Sequence, residues 1–142
     1  MNILAPVSTI MTKDLITVNP KDSLKVVKEI FDSKRLHHIP VVRYKKIVGI
    51  ISKSDVLYFM KGANPEKEKS RNEKLLEKYT AEEIMTTGMA KLESDDRINV
   101  ALEVFKENLF HAIPVVDNDE LCGIVTTYDI IKALSEDKVN IN

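Results

Sequence analysis

The sequence predicts a mixed α/β (α+β) fold in which two copies of one β-α-β-β-α unit pack on each other with pseudo-two-fold symmetry. The segment HHIPVV at residues 37–42 recurs as HAIPVV at residues 111–116, a shift of 74 positions (111 minus 37). The same shift maps Ile10-Met11-Thr12 onto Ile84-Met85-Thr86, and no gap interrupts the register from Ile10 to Leu57. Self-similarity at one fixed spacing indicates a duplicated unit. A unit with so few strands is too small to be stable alone, so the copies are expected to share a core.

The composition is that of a soluble globular protein, with 142 residues of which 44% are apolar and 30% charged. Twenty-one basic and 22 acidic residues leave a net charge of −1, so no overall field attracts nucleic acid or a membrane surface. The single cysteine, Cys122, excludes an internal disulfide and is predicted to be a small buried filler. No apolar segment approaches about 18 residues and no leader pattern is present, which together predict a cytoplasmic protein.

The repeat divides the chain into a first domain at residues 1–62, which includes a short apolar lead-in, a linker at residues 63–80 and a second domain at residues 81–142. Turn-forming residues at 62–65, Gly-Ala-Asn-Pro, are expected to end the last helix of the first domain. Residues 66–78 carry four Glu and five Lys or Arg, and they are predicted to form a mostly solvated helical linker.

The first repeat opens with a brief extended run at residues 15–18, which Asn19-Pro20 closes with a turn. A helix is expected from Asp22 or Ser23, and either short oxygen side chain can cap its free amides. The helix shows one apolar face, formed by Leu24, Val27, Ile30 and Phe31.

The centre of the first repeat is predicted to be a hairpin with strands at residues 39–42 and 47–51. Both strands are too apolar to alternate, so both faces are expected to be covered. Gly49, inside the second strand, indicates either a β-bulge or a close approach of another group to the backbone. A second helix is expected to open at Ser52 and to run to about Met60.

The second repeat is predicted to contain the same elements in the same order: a strand at 90–92, a helix from 96 to about 107, strands at 112–116 and 121–125, and a helix from 127 to about 134. Asp95-Asp96 precedes the first of these helices and resembles an acid pair. At a helix start this pair is interpreted as a cap and a partner for the helix dipole.

The repeated pattern resembles a known family. An apolar-His-x-Ile-Pro-Val-Val segment, a short turn, and then Gly-apolar-apolar-Ser/Thr-x-x-Asp, present twice, is similar to a tandem pair of cystathionine-β-synthase (CBS) domains, the Bateman module. The resemblance covers about Val7 to Leu134. It implies a non-catalytic regulatory module that needs no cofactor. The implied ligand is an adenosine-containing molecule, AMP, ADP, ATP or S-adenosylmethionine, held in clefts between the two repeats.

The resemblance assigns ligand roles to the Ser/Thr-x-x-Asp segment. Asp55 and Asp129 match the position that takes the ribose hydroxyls, a role suited to a carboxylate because it only accepts hydrogen bonds. Ser52 and Thr126 match the hydroxyl position near phosphate or ribose. The same spacing is also a plain helix-capping pattern, and one residue can have both roles.

The resemblance implies that a second group of residues lies near the phosphates of the ligand: His37, His38, His111 and Lys53. His38 and Lys53 are replaced in the second repeat by Ala112 and Thr127, so the two sites are predicted to be unequal, with the first better suited to several phosphates. Half-buried histidines at a strand entry are the alternative. A metal site is not favoured, because neighbouring residues in a strand point to opposite faces.

The resemblance implies that the adenine of the ligand is held by Thr12 and Ile16 of one repeat and by Thr86 and Ala90 of the other. Family geometry implies that the early segment of one repeat meets the Asp of the other.

No catalytic motif is present in the sequence, so the chain is predicted not to be an enzyme. The predicted partners are an adenine nucleotide, a second copy in a homodimer, and an unidentified regulated protein; no membrane or nucleic acid is expected. The alternative function is a structural dimerisation module with vestigial, empty clefts. A nucleic-acid accessory protein and a weak nucleotide hydrolase remain as less favoured alternatives.

Overall fold

The computed structural model describes residues 1–61, 69–107 and 109–137. The chain forms two compact units: unit 1 contains Met1–Leu15 and Met89–Asn142, and unit 2 contains Ile16–Gly88. The predicted domain boundaries follow the repeat in the sequence, whereas the units follow contacts in space. The lead-in at residues 1–15 thus packs with the hairpin of the second repeat. The predicted turn at residues 62–65 lies outside the described residues.

Unit 2 contains the first hairpin and four helices. Its elements are α1 (Leu24–Ser33), β1 (His38–Arg43), β2 (Lys46–Ser52), α2 (Lys53–Lys61), α3 (Lys69–Lys78) and α4 (Ala81–Ile84). The antiparallel β1–β2 hairpin and both predicted helices are confirmed. The predicted extended run at 15–18 is reduced to one parallel bridge, in which Val18 N donates to Pro40 O at 3.1 Å and Val42 N donates to Val18 O at 2.9 Å.

The start of α1 distinguishes the two predicted caps. Ser23 Oγ accepts a hydrogen bond from Val26 N at 3.4 Å, whereas Asp22 Oδ2 accepts one from Asn19 N at 2.8 Å. Ser23 is therefore the cap, and Asp22 stabilises the turn before the helix. The apolar face of the helix is buried in the core of unit 2, which includes Leu24, Val27, Phe31, Ile39, Val41, Ile51 and Val56.

The predicted linker is helical but not wholly solvated. Glu73, Lys74, Glu77 and Lys78 are exposed, whereas Leu76 is 4% exposed and belongs to the core of unit 2. The four-residue helix α4 was not predicted, because it is too short to show a periodicity. Its only sequence signal is the capping pair, in which Thr80 N donates to Glu83 Oε1 at 3.2 Å.

Unit 1 contains the second hairpin. Its elements are a 3-10 turn (Val7–Thr9), β3 (Leu92–Glu93), α5 (Ile98–Lys106), β4 (Ala112–Asp117), β5 (Glu120–Thr126) and α6 (Thr127–Glu136). The strand β3 is parallel to β4, and β4 is antiparallel to β5, which confirms the mixed α+β character of the fold. The core of unit 1 is formed by Val7, Leu92, Ile98, Ala101, Ile113, Val115, Val125 and Ile130.

The predicted capping role of Asp95-Asp96 is wrong. The helix α5 begins at Ile98, its N-cap residue is Arg97, and no side chain caps it. Asp96 Oδ2 instead accepts a hydrogen bond from Glu93 N at 2.8 Å. Asp96 thus closes the turn before the helix, as Asp22 does in the first repeat.

The glycines at equivalent positions of the two hairpins face methionines. In each hairpin a bulge follows the glycine pair, Val41↔Gly49 in one and Val115↔Gly123 in the other. A Cβ placed on Gly49 would lie 2.6 Å from Met85 Cγ. Both predicted alternatives, the bulge and the close approach, are therefore present together.

Replacing Gly49 by Ala is expected to lower the free energy of unfolding by roughly 1–3 kcal/mol, because the new methyl group overlaps Met85. Urea unfolding measures the loss. If the overlap is the cause, adding Met85→Ala to Gly49→Ala costs less than the sum of the two single changes. Simple additivity of the two changes would contradict this packing explanation.

Within the described part of the chain, no helix is both long enough and apolar enough to cross a bilayer.

Candidate functional site

The Ser-x-x-Asp segment of the first repeat lies where β2 ends and α2 begins. Ser52 N donates to Asp55 Oδ2 at 2.8 Å, and Asp55 N donates to Ser52 Oγ at 3.0 Å. These bonds satisfy two backbone amides that a helix start leaves without partners. The capping role is therefore present here, and it uses one of the two Asp55 carboxylate oxygens.

The second repeat has the same arrangement at the start of α6. Thr126 N donates to Asp129 Oδ2 at 2.8 Å, and Asp129 N donates to Thr126 Oγ1 at 3.2 Å. Again only the Oδ2 oxygen is used by the cap, which leaves Oδ1 as the acceptor for any further group.

The second carboxylate oxygen distinguishes the two repeats. Asp129 Oδ1 accepts a hydrogen bond from Thr12 Oγ1 at 2.9 Å, and Asp129 is only 7% exposed. Asp55 is half-buried, and within residues 1–61, 69–107 and 109–137 no group donates to its Oδ1 oxygen. Asp129 is thus paired on both oxygens, whereas Asp55 has one oxygen without a donor among the described residues.

The two early threonines are nevertheless held alike. Thr12 and Ile124 exchange backbone hydrogen bonds of 2.8 and 3.0 Å, and Thr86 and Ile50 do the same at 2.8 and 3.0 Å. The hydroxyl of Thr12 lies beside the Asp of the other repeat, whereas among the described residues Thr86 has no hydrogen bond to Asp55. Whether either threonine contacts a ligand stays a prediction.

A cavity of about 560 Å³ adjoins Asp55 within unit 2, and it is lined by Asp55, Tyr58, Phe59, Lys61 and Ile84. A carboxylate, two aromatic rings and an ammonium group line one space. Apart from Asp55, none of these residues was predicted for the site. The signal that could have found Tyr58 and Phe59 is their spacing of three and four from Asp55, which puts all three on neighbouring turns of one helix.

The predicted phosphate-side residues lie at the entry to each hairpin and the start of the following helix. Lys53 N donates to His37 O at 2.8 Å, and Thr127 N donates to His111 O at 3.2 Å. His37, His111 and Lys53 are exposed, whereas His38 is half-buried at the first position of β1, opposite Ser52. Among the described residues, no group of three His, Cys, Asp or Glu side chains could hold a metal ion.

The two remaining predicted site residues, Ile16 and Ala90, lie in different units. Ile16 is half-buried in unit 2 with Asp55 and Thr86, and Ala90 is half-buried in unit 1 with Thr12 and Asp129.

Cys122 is the extra residue of the bulge in β5. Its thiol lies 3.4 Å from Val115 O and 3.7 Å from Asp117 Oδ2. Burial, and then the charge of Asp117, raise the pKa of the Cys122 thiol above its usual value. The thiolate is therefore disfavoured, which argues against a reactive role. Cys122 is half-buried, however, and not fully buried as predicted.

The sequence model of the CBS-domain family matches the chain twice, at residues 7–62 and 81–136. Over 124 residues the chain is 25% identical to an inosine-5'-monophosphate dehydrogenase of Thermoplasma acidophilum, covering 87% of this chain and 22% of that protein. The chain spans between 22% and 49% of the length of the first curated relatives that it matches.

The solved structures that resemble most of the chain include two complexes with bound ligands. The CBS domain pair of protein MJ0100, in complex with 5'-methylthioadenosine and S-adenosyl-L-methionine, is 29% identical with a TM-score of 0.74, covering 93% of this chain and 97% of that one. CBSX2, in complex with AMP, is 25% identical with a TM-score of 0.75, covering 92% and 96%.

Proposed function

Because this chain belongs to the CBS-domain family, we propose that it is a regulatory module that binds an adenosine-containing ligand through Asp55. The observation that carries the proposal is the Asp55 carboxylate. One of its oxygens caps α2, while the other has no donor among the described residues and adjoins the cavity of about 560 Å³. This oxygen is open to solvent, so a ligand hydroxyl could take the place of water as its donor.

The chemistry around Asp55 fits a phosphorylated nucleoside. A carboxylate accepts from the two neighbouring hydroxyls of a ribose, and aromatic rings such as Tyr58 and Phe59 offer a surface for a flat base. Lys53 and Lys61 lie at the two ends of α2, and the first turn of a helix also attracts phosphate. Two similar proteins were solved with adenosine-containing ligands, which supports the same class of ligand here.

Regulation would follow from the elements that meet at the cavity. Asp55, Tyr58, Phe59 and Lys61 belong to α2, and Ile84 belongs to α4. A ligand held between these helices favours the arrangement in which it binds more tightly and so shifts the population of unit 2 toward that arrangement. A partner protein that contacts α2 would then respond to the ligand without any reaction at the site.

Isothermal titration calorimetry with AMP, ADP, ATP and S-adenosylmethionine tests the proposal. At least one of them is expected to bind, and 2'-deoxy-AMP is expected to bind more weakly than AMP by about 10-fold, the effect of one lost hydrogen bond to a charged group. Phosphorus NMR of the incubated ATP is expected to show no hydrolysis. An absence of heat with all four ligands would overturn the proposal, and ATP turnover would overturn its non-catalytic part.

A second candidate function, a structural dimerisation module, is favoured by apolar side chains at equivalent exposed positions of α2 and α6. Leu57 is 59% exposed and Ile131 is 62% exposed. A second copy that covers these side chains would remove apolar surface from water. This candidate predicts a dimer without nucleotide and no heat in the titrations above.

A further inference from the structure

The two hairpin turns carry opposite charges at equivalent positions of the repeat. Residues 43–46, which we name the basic tip, read Arg-Tyr-Lys-Lys, and residues 117–120, the acidic tip, read Asp-Asn-Asp-Glu. All eight residues are exposed. Three positive charges in one turn therefore correspond to three negative charges in the other.

The backbones of the two tips have the same form. The central residues have positive φ angles in both, 51° and 67° at Tyr44 and Lys45, and 51° and 64° at Asn118 and Asp119. The flanking residues pair in the same way, Arg43 with Lys46 and Asp117 with Glu120. The tips thus differ in side chains and not in shape.

The basic tip is made of residues that do not favour this backbone. Left-handed φ values are unfavourable for most side chains and are tolerated best by Gly, Asn and Asp. The acidic tip follows this preference with Asn118 and Asp119, whereas Tyr44 and Lys45 do not. Tyr44 is also 91% exposed, so packing within the chain does not compensate. Residues held in unfavourable backbone conformations cluster at binding sites, which makes Tyr44 a candidate for a contact outside the chain.

In each tip, one of the three charges has an internal partner and two have none among the described residues. Arg43 pairs with Glu82 at 3.5 Å, and Asp117 accepts hydrogen bonds from Ser94 at 2.7–3.1 Å. Within the described ranges, Lys45 and Lys46 form no ion pair, and neither do Asp119 and Glu120. Two cations of one tip are left facing outward, and so are two anions of the other.

We propose that the basic tip of one copy binds the acidic tip of a second copy, so that copies associate head to tail. The surface that complements the basic tip in charge and in backbone form is present on the chain itself. A contact between two different surfaces of identical copies leaves one of each open, so the association extends into rings or short chains. Exposed ion pairs are weak and are screened by salt, so we expect association at high protein concentration and low salt.

Two charge-reversed variants test the proposal. Lys45→Glu/Lys46→Glu makes both tips acidic, and Asp119→Lys/Glu120→Lys makes both basic. In sedimentation velocity at low salt, the wild type is expected to rise in mass with concentration above the species seen at high salt. Neither variant alone is expected to do so. An equimolar mixture of the two is expected to associate again, which pairing within one chain cannot produce.

Lys34→Glu/Lys91→Glu, which reverses two exposed lysines elsewhere, is the matched control and is expected to associate like the wild type. Tyr44→Asn is expected to raise Tm by a few degrees while weakening the association, because Asn accepts the left-handed conformation.

A wild type whose mass is independent of concentration at low salt would overturn the proposal, and so would a mixture of the two variants that fails to associate. Binding of the basic tip to poly-glutamate or RNA without self-association would assign it to another partner and would also overturn the proposal. Circular dichroism of each variant is expected to match that of the wild type, because the changed side chains are exposed.

Discussion

Asp55→Asn is expected to weaken AMP binding by about 10- to 100-fold, because hydrogen bonds to a charged group contribute about 1.5–3 kcal/mol. The Asn side chain keeps one oxygen, which can still accept from Ser52 N and cap α2. It replaces the other oxygen by an NH₂ group, which cannot accept from a ribose hydroxyl. Calorimetric titration of both proteins with AMP measures the difference.

Asp22→Asn is the matched control for this change. Asp22 lies in the same unit and accepts a backbone hydrogen bond of the same length, 2.8 Å from Asn19 N, but it does not line the cavity. It is expected to leave AMP affinity unchanged. Equal losses in both variants would indicate a general effect of losing a half-buried carboxylate charge. No loss in Asp55→Asn, with AMP still binding, would show that the ribose assignment is wrong.

The two hairpins, most of the helices and the mixed α+β class could be predicted from the sequence. Such elements can be predicted because their apolar residues are strongly periodic and because the two copies are related by one constant spacing, so that the pattern in one copy supports the pattern in the other. The errors fall where no periodicity exists. The four-residue α4 gives too short a pattern, and the predicted helix start at Asp96 lies two residues before the observed start at Ile98. Leu76 is buried within a segment whose charges predicted solvation.

The site was predictable only in part. The Ser/Thr-x-x-Asp motif locates both acids because its spacing is that of a capping box. The motif does not show which carboxylate oxygen stays available, since that depends on Thr12, which lies 117 positions from Asp129 in the chain. The cavity residues Tyr58 and Lys61 were missed because the repeat does not preserve them, and their counterparts are Lys132 and Ser135. The predicted inequality on the phosphate side stays a prediction, and the structure adds a second inequality, at the two acids themselves.

That inequality leads to a prediction about the order in which the two acids take ligand. A ribose at Asp129 would have to displace the Thr12 hydroxyl from Oδ1, whereas Asp55 has no such competitor among the described residues. Asp55 is therefore expected to be occupied first. Thr12→Val removes the competitor and keeps the side-chain shape, so it is expected to strengthen AMP binding at Asp129 by about 10-fold or more, the equivalent of one hydrogen bond to a carboxylate.

Whether Thr12→Val strengthens or weakens AMP binding shows whether the Thr12 hydroxyl competes with the ligand or contacts it directly. If the Thr12 hydroxyl bonded the ligand, its removal would weaken binding, as is expected for Thr86→Val if Thr86 has such a contact in unit 2. Titration of Thr12→Val in the Asp55→Asn background isolates the Asp129 site and measures the sign. The unliganded variant is also expected to lose stability in urea unfolding, because a buried carboxylate oxygen is left unpaired at a cost of roughly 1–3 kcal/mol. Weaker binding in Thr12→Val would show that the hydroxyl serves the ligand, and equal affinity would show that the 2.9 Å bond does not limit access to Asp129.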